Sequence, residues 1–173
     1  MPDSKVALCF VLQYLNFLQW PVGNSMFKRI LFVCTGNICR SPMAEGLFKH
    51  YLETIHVNID VSSAGLAAVV NKPATSSAQS LLRMRDIDIS SHRARQLTRP
   101  MTLDAELILV MEISQKKQLE RLYPYTLGKV FLLGKWGNFE VPDPYGGMLS
   151  DYENVLKLID DGLYDWQKKI CNV

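Results

Sequence analysis

The sequence predicts an α/β fold: a three-layer αβα arrangement around a four-stranded parallel twisted sheet. Two observations carry this class. Unbroken apolar runs at residues 30–33, 107–110 and 130–133 suit strands buried on both faces of a parallel sheet. Segments with apolar residues at helical spacing separate them, so right-handed crossovers place helices on both faces.

The elements follow in order. A first strand covers Ile30, Leu31, Phe32 and Val33. Ser41 and Pro42 open a helix, as a cap residue and a first-turn proline do, and Met43, Ala44, Leu47 and Phe48 continue it to about Glu53. Alternation over residues 57–62 predicts the second strand, ending at Ala64-Gly65. Residues 66–72 read as loop. Residues 74–85 form a helix with Ala78, Leu81, Leu82 and Met84 on its repeat and Thr75 or Ser76 at its start. Residues 90–98 are polar loop, 106–111 a central strand, 114–122 a helix and 130–133 the fourth strand. A long Gly- and Pro-rich loop, residues 134–147, has the length and composition of a functional loop. Residues 152–170 close the chain as an amphipathic helix with Val155, Leu156, Ile159, Leu163 and Trp166 on one face.

A chain of 173 residues with 48% hydrophobic content fits one domain with its own core, expected over residues 26–173. Residues 1–25 stand apart as an N-terminal extension of unknown role. Val6 to Trp20 is uncharged and mostly apolar, with Gln13, Asn16 and Gln19 as a thin polar stripe. Its unbroken apolar core is too short to span a bilayer, so no stable membrane insertion is expected. Lys5 in front and Gly23-Asn24-Ser25 behind make a weak targeting pattern, which Asp3 opposes. A dispensable extension, a packing or interaction helix and a targeting segment all remain open.

A net charge of +2 with 21% charged residues argues against a dedicated nucleic-acid binder. Arg83, Arg85, Arg93, Arg95 and Arg99 form a local basic run, read equally as a solvated helix end and loop or as an attractor of phosphorylated substrates. Cys9, Cys34, Cys39 and Cys171 match neither a zinc site nor a secreted disulfide framework, and His50, His56 and His92 lack metal-ligand spacing. A reducing compartment and a protein without metal or cofactor are expected.

The chemistry concentrates just after the first strand. Cys34, Thr35, Gly36 and Asn37 form a tight loop, in which Gly and Asn tolerate positive φ. The helix follows at once, so loop N–H groups and the helix dipole converge on an anion. Arg40 adds a guanidinium able to grip two oxygens of a tetrahedral oxyanion. Cys34 sits at the centre, where a thiol is expected to ionise more readily than its ordinary pKa of about 8.5 allows. A phosphate-binding loop at the end of the first core strand, with a nucleophile at its floor, is equipped for phosphoryl transfer. An ordinary buried cysteine beside a turn does not explain Arg40 together with the Gly-Asn turn. A P-loop nucleotidase needs Gly-Lys-Ser/Thr, which is missing. Far downstream, Asp143 between Pro142 and Pro144 is a stiffly held candidate proton donor, or else a simple turn aspartate.

The run Val33-Cys34-x-Gly36-Asn37-x-Cys39-Arg40-Ser41-Pro42, with Asp143-Pro144-Tyr145, resembles the low-molecular-weight protein tyrosine phosphatases over about residues 27–170. Ser62-Ser63-Ala64-Gly65-Leu66, His92-x-Ala94-Arg95 and Lys135-Trp136-x-Asn138 are similar to the bacterial branch that works with exopolysaccharide-associated tyrosine kinases. The resemblance implies a cytoplasmic enzyme that hydrolyses phosphotyrosine through a cysteinyl-phosphate, with a bacterial tyrosine kinase as its protein partner. It implies catalysis by Cys34, Arg40 and Asp143, and phosphate binding by Thr35, Gly36, Asn37, Ile38, Cys39, Arg40 and Ser41. Asn37 then holds the loop in a left-handed turn aided by Ser63 and His92, and Ile38 and Tyr145 form the walls for a phenyl ring. Ser41 is a hydrogen-bond donor to the thiolate, a helix cap, or both. Trp136 is an aromatic wall or an interaction site. Cys39 is a packing residue or a thiol that captures oxidised Cys34.

Two other functions share these features. An arsenate reductase of the same fold resembles a relay through further cysteines midway along the chain, and none lies between Cys39 and Cys171. A non-catalytic phosphotyrosine-binding module should lack the nucleophile or the acid, and both are present.

Overall fold

Alternate side chains of the first strand point to opposite sides and build two cores. The computed structural model describes residues 25–171. Ile30 and Phe32 of β1 (Arg29–Cys34) join one cluster with Phe48, Leu109, Ile159 and Trp166. Leu31 and Val33 join the other with Ile108, Val110, Leu119 and Val130. Each such buried side chain contributes about 1.5–3 kcal/mol relative to exposure. Continuous apolar runs therefore mark strands covered on both faces.

The remaining elements are α1 (Arg40–Thr54), β2 (Asp60–Gly65), α2 (Ser76–Arg83), α3 (Arg99–Asp104), β3 (Leu107–Val110) and α4 (Ile113–Leu122). A 3-10 turn (Pro124–Thr126), β4 (Val130–Leu132) and α5 (Leu149–Ile170) complete the chain. The sheet is four-stranded and parallel throughout, in the order β2-β1-β3-β4. Helices α1, α2 and α5 cover one face, and α3 and α4 cover the other. The predicted three-layer fold is the one observed. Because β1 lies between β2 and β3, its carboxyl end is where the strand order reverses, the crevice in which such sheets bind ligands.

Several boundaries differ from the sequence expectation. Strand β2 starts at Asp60 rather than residue 57, because residues 55–57 close α1 instead. His56 adopts φ 54° and Val57 donates its N–H to Leu52 O at 3.0 Å. The strand then runs on through Gly65, paired with Cys34. Gly65 is required there: a Cβ would lie 2.6 Å from Thr35 O. Helix α2 ends at Arg83, two residues early, where Asp86 turns at φ 60° and Ile87 donates to Leu82 O at 3.0 Å. Helix α5 begins three residues earlier than expected, since the Asp151 carboxylate accepts the Met148 N–H at 2.7 Å and caps its first turn.

The chain enters the fold beside the end of α5. Ser25 Oγ donates to Phe27 O at 2.7 Å and reaches Ile170 O at 3.5 Å, while Phe27 packs on the larger core. The three readings of the N-terminal extension fall outside the described residues, Ser25 excepted. Among the described residues no helix is long and apolar enough to cross a membrane.

Candidate active site

Residues 35–39 turn from β1 into α1, and the segment after β2 supports that turn from behind. Leu66, Ala67 and Val69 donate their N–H groups to the carbonyls of Cys34, Thr35 and Gly36 at 2.9, 3.0 and 3.0 Å. Thr75 donates to Ile38 O at 2.8 Å, so the start of α2 holds the loop as well. With its carbonyls turned outward, the loop leaves its N–H groups for the pocket.

Asn37 is the centre of the loop's support. It is fully buried and left-handed, at φ 57°. Its Nδ2 donates to Ser41 Oγ and Ser63 Oγ, both at 2.8 Å, and its Oδ1 accepts the Arg95 N–H at 2.9 Å. His92 Nε2 lies 2.8 Å from Asn37 O. A carbonyl only accepts, so that nitrogen carries the proton. The geometry thus places Ser63 and His92 against Asn37.

Two donors reach the Cys34 sulfur. The Asn37 N–H points at it from 3.2 Å, and Ser41 Oγ lies 3.0 Å away. Since Ser41 Oγ already accepts from Asn37, its own proton is free to point at the sulfur. Ser41 makes no cap contact at the start of α1, where no side-chain cap bond is present. The residue therefore serves the thiol rather than the helix end.

Arg40 is buried, at 1% exposure, and its guanidinium is held from three sides. Nη1 meets the Glu112 carboxylate and donates to Val141 O at 3.0 Å. Nη2 pairs with Asp143 Oδ2 at 2.8 Å. Nε is buried without a partner. Such a donor is costly to leave unpaired, and an oxyanion in the pocket is what would satisfy it. Gln115 completes the support: its Oε1 accepts the Met111 N–H at 3.0 Å, and its Nε2 donates to Thr35 Oγ1 at 3.2 Å.

Glu112 and Gln115 were not anticipated. The signal was present, because Glu112 lies two residues past a fully apolar strand that neighbours β1. Residues just past strand ends line the crevice in this architecture.

The pocket has a volume of about 230 Å³ and is lined by Cys34, the loop through Arg40, Ala67, Val69, Asp143 and Tyr145. Ile38 and Tyr145 both border it. Asp143 Oδ1 accepts the Tyr145 N–H at 3.3 Å, which ties acid and ring together. A cleft of about 280 Å³ lies along the outer side of α1, among Glu45, Lys49, His50, Asp86 and Asp88. Its lining has neither a cysteine nor an arginine, whereas the smaller pocket has both. Trp136 borders neither space; it packs edge-on against Trp166, with ring centres 5.8 Å apart. Among the described residues no cluster of His, Cys, Asp and Glu could hold a metal ion. The arginine run is largely engaged within the protein: Arg85 grips Asp160, Arg93 bonds its own loop, and Arg95 donates to Ser63 O at 2.8 Å.

A sequence profile described as low molecular weight phosphotyrosine protein phosphatase matches residues 29–172. The chain belongs to that family. It is 42% identical over 145 residues to a probable low molecular weight protein-tyrosine-phosphatase, EpsP, of Ralstonia nicotianae, covering 84% of this chain and 97% of that one. Vibrio vulnificus Wzb in complex with benzylphosphonate superposes with a TM-score of 0.78 at 36% identity, over 83% of this chain and 99% of the other. A mutant YwlE arginine phosphatase with a phosphorylated active-site serine gives 0.76 at 34% identity, over 82% and 96%. The activity is therefore that of a low-molecular-weight protein-tyrosine phosphatase.

Within this phosphatase Cys39 also lines the pocket, and its thiol is bonded to the helical layer. Its Sγ lies 3.4 Å from Tyr152 Oη and 3.6 Å from Thr75 Oγ1. Burial pushes the Cys39 thiol up and, with its bond to Cys39, pushes Tyr152 up to about 12.

Proposed function

We propose that Cys34 attacks the phosphorus of a protein phosphotyrosine to form a cysteinyl-phosphate, which water then hydrolyses. The observation that carries this reading is the convergence on one pocket of a sulfur with two donors, a braced guanidinium with a free Nε–H, and a carboxyl group. The loop N–H groups and Arg40 bind the phosphoryl oxygens and neutralise their charge as the transition state forms. As the S–P bond forms and the P–O bond breaks, Asp143 gives its proton to the phenolate. Its carboxylate then takes a proton from water, water oxygen bonds to phosphorus, and the S–P bond breaks. Ser41 stabilises the departing thiolate. In the resting site the Asp143 carboxylate pairs with Arg40; substrate oxygens take over that donor, and the freed carboxylate takes up from solvent the proton it gives to the phenolate.

The phosphorylated active-site serine of the YwlE mutant supports a covalent step at this position. Benzylphosphonate in Vibrio vulnificus Wzb supports an aromatic phosphoryl ligand. Similarity to EpsP supports a phosphotyrosine protein as substrate; the sequence resemblance to the exopolysaccharide-associated branch leads us to propose a bacterial tyrosine kinase in the cytoplasm.

A second reading, phosphoarginine hydrolysis, comes from the likeness to an arginine phosphatase. The walls here oppose it. Ile38, Val69 and Tyr145 offer a ring apolar contact, and Asp143, the one carboxylate lining the pocket, is already paired with Arg40. A guanidinium would find Asp143 as its one carboxylate, and that group is committed to proton transfer. Steady-state kinetics on one peptide carrying either phosphotyrosine or phosphoarginine is expected to favour phosphotyrosine in kcat/KM by about tenfold or more, the upper range of ring stacking. Equal or reversed preference would overturn the tyrosine assignment. Arsenate reduction has less support: beyond Cys34, the free cysteines among the described residues are Cys39 and Cys171, both buried.

Oxidation of Cys34 followed by capture at Cys39 is also proposed. Capture requires Cys39 to leave Tyr152 and lose its proton, and its thiol is pushed up by burial, so the link should form faster as pH rises. Peroxide-treated wild type is expected to regain activity with dithiothreitol, and Cys39→Ser to regain much less. Mass spectrometry should show a Cys34–Cys39 link whose rate climbs from neutral to alkaline pH. Equal recovery without a link would make Cys39 a packing residue.

A further inference from the structure

A strip of lysines and aromatic rings wraps the open edge of the sheet at β4. Among the described residues this strand pairs only with β3. Lys135 Nζ lies 4.1 Å from the Phe131 ring centre and 4.5 Å from that of Trp136. Lys116 reaches Phe131 from α4 at 5.5 Å, and Lys169 reaches Trp136 from α5 at 5.2 Å. Trp136 is 46% exposed. Beside it runs a groove of about 500 Å³ lined by Lys116, Lys117, Phe131 and Lys135.

The charge of this strip is only partly compensated, by Glu120, which also lines the groove. Of these lysines only Lys116 has a carboxylate nearby among the described residues, Glu120 at 3.7 Å. Elsewhere Arg29 pairs with Asp104 and Glu106, Arg85 with Asp160 and Lys49 with Glu45. The chain as a whole carries only +2, so the strip concentrates positive charge in a nearly balanced protein. Like charges gathered around an exposed indole repel one another unless an anion joins them. Cation–π contact with the rings holds the ammonium groups in place at low cost.

We propose that this strip docks an acidic segment of the partner protein that carries the phosphotyrosine. This rests on the phosphatase reading above. The lining chemistry selects the occupant. The lysines are separate point charges that suit carboxylates spaced along a chain, and the groove lining contains no arginine to hold one anion in a fixed fork. A groove between helix and loop fits an extended chain, while the exposed Trp136 face accepts an aromatic or aliphatic side chain between acidic residues. The loop that starts the strip at Lys135 and Trp136 also carries Asp143 and Tyr145. One polypeptide can therefore contact strip and catalytic pocket through a single loop.

The test uses the full chain and a fluorescently labelled peptide of glutamates and tyrosines without phosphate, followed by anisotropy. Wild type is expected to bind it, and added salt to weaken binding. The double variant Lys135→Glu/Lys169→Glu should lose about tenfold or more in affinity. Lys157→Glu, about 18 Å along α5 from Lys169, should not. Trp136→Ala should also weaken binding. Para-nitrophenyl phosphate turnover should be unchanged in every variant, showing that fold and pocket are intact. Because the probe has no phosphate, its binding does not depend on catalysis: a wild type that binds the peptide but turns over nothing would sink the enzyme reading alone. Absent binding, equal loss in Lys157→Glu, or binding to anionic vesicles or RNA in place of the peptide would each overturn the proposal. On a phosphotyrosine peptide with acidic flanks, the double variant should raise KM and leave kcat alone.

Discussion

Cys34→Ser is expected to remove turnover of aryl phosphates almost entirely, by more than about 10,000-fold in kcat/KM. A serine hydroxyl at this position has no base to activate it: its neighbours, the Asn37 N–H and the Ser41 hydroxyl, are donors aimed at an acceptor. They suit a sulfur acceptor and offer no base to a neutral alcohol. The anion cradle itself should survive. Asn37 is held through Ser41, Ser63, His92 and Arg95, and Arg40 through Glu112 and Val141, none of which depends on sulfur. Inorganic phosphate and orthovanadate should therefore still bind the variant, by calorimetry, within several-fold of wild type. Retention of more than about 1% activity would point to a different nucleophile, with Cys39 the first candidate. Loss of anion binding together with turnover would mean that the thiol supports the loop rather than attacks.

What could be read from sequence was what local chemistry determines. The apolar runs of β1, β3 and β4 have no other stable use than a sheet covered twice, so architecture followed from them. The Cys34–Pro42 stretch was legible because glycine, asparagine, proline and arginine each carry a narrow conformational or chemical meaning. The short helix α3 went unseen. It spans six residues and has no apolar face, and it is secured by tertiary contacts such as the bond between Thr102 and Tyr125 at 2.8 Å. The start of β2 was set too early because residues 57–59 alternate like a strand, yet Val57 still bonds back to Leu52 of the helix and pairing begins only at Asp60. Glu112 and Gln115 escaped for a different reason. They act across the sheet on Arg40 and Thr35, more than seventy residues away, and no spacing pattern encodes such a contact. Trp136 had two possible roles in the sequence; the structure sets it outside the pocket, packed on Trp166.

Asp143→Ala is the variant in which effects should separate by leaving group. For phosphotyrosine and other phenols of high pKa, loss of the proton donor should slow the first chemical step by about 100- to 10,000-fold. An aryl phosphate with a very acidic phenol leaves without help, so its first step should fall far less. Ground-state binding should move the other way. Asp143 occupies Arg40 Nη2 in the resting site, and its side chain is 48% exposed. A half-exposed pair of this kind is worth only about 0.2–1 kcal/mol. Removing it should make inorganic phosphate bind up to roughly fivefold more tightly, because the anion no longer competes with a carboxylate. Arg40 keeps its orientation meanwhile, since Glu112 and the Val141 carbonyl still hold Nη1. Single-turnover rates across a series of phenols, with phosphate affinity measured alongside, report both effects. A uniform loss over the whole series would make Asp143 a structural residue of its loop, and weaker phosphate binding would show that it orients Arg40 rather than occupying it.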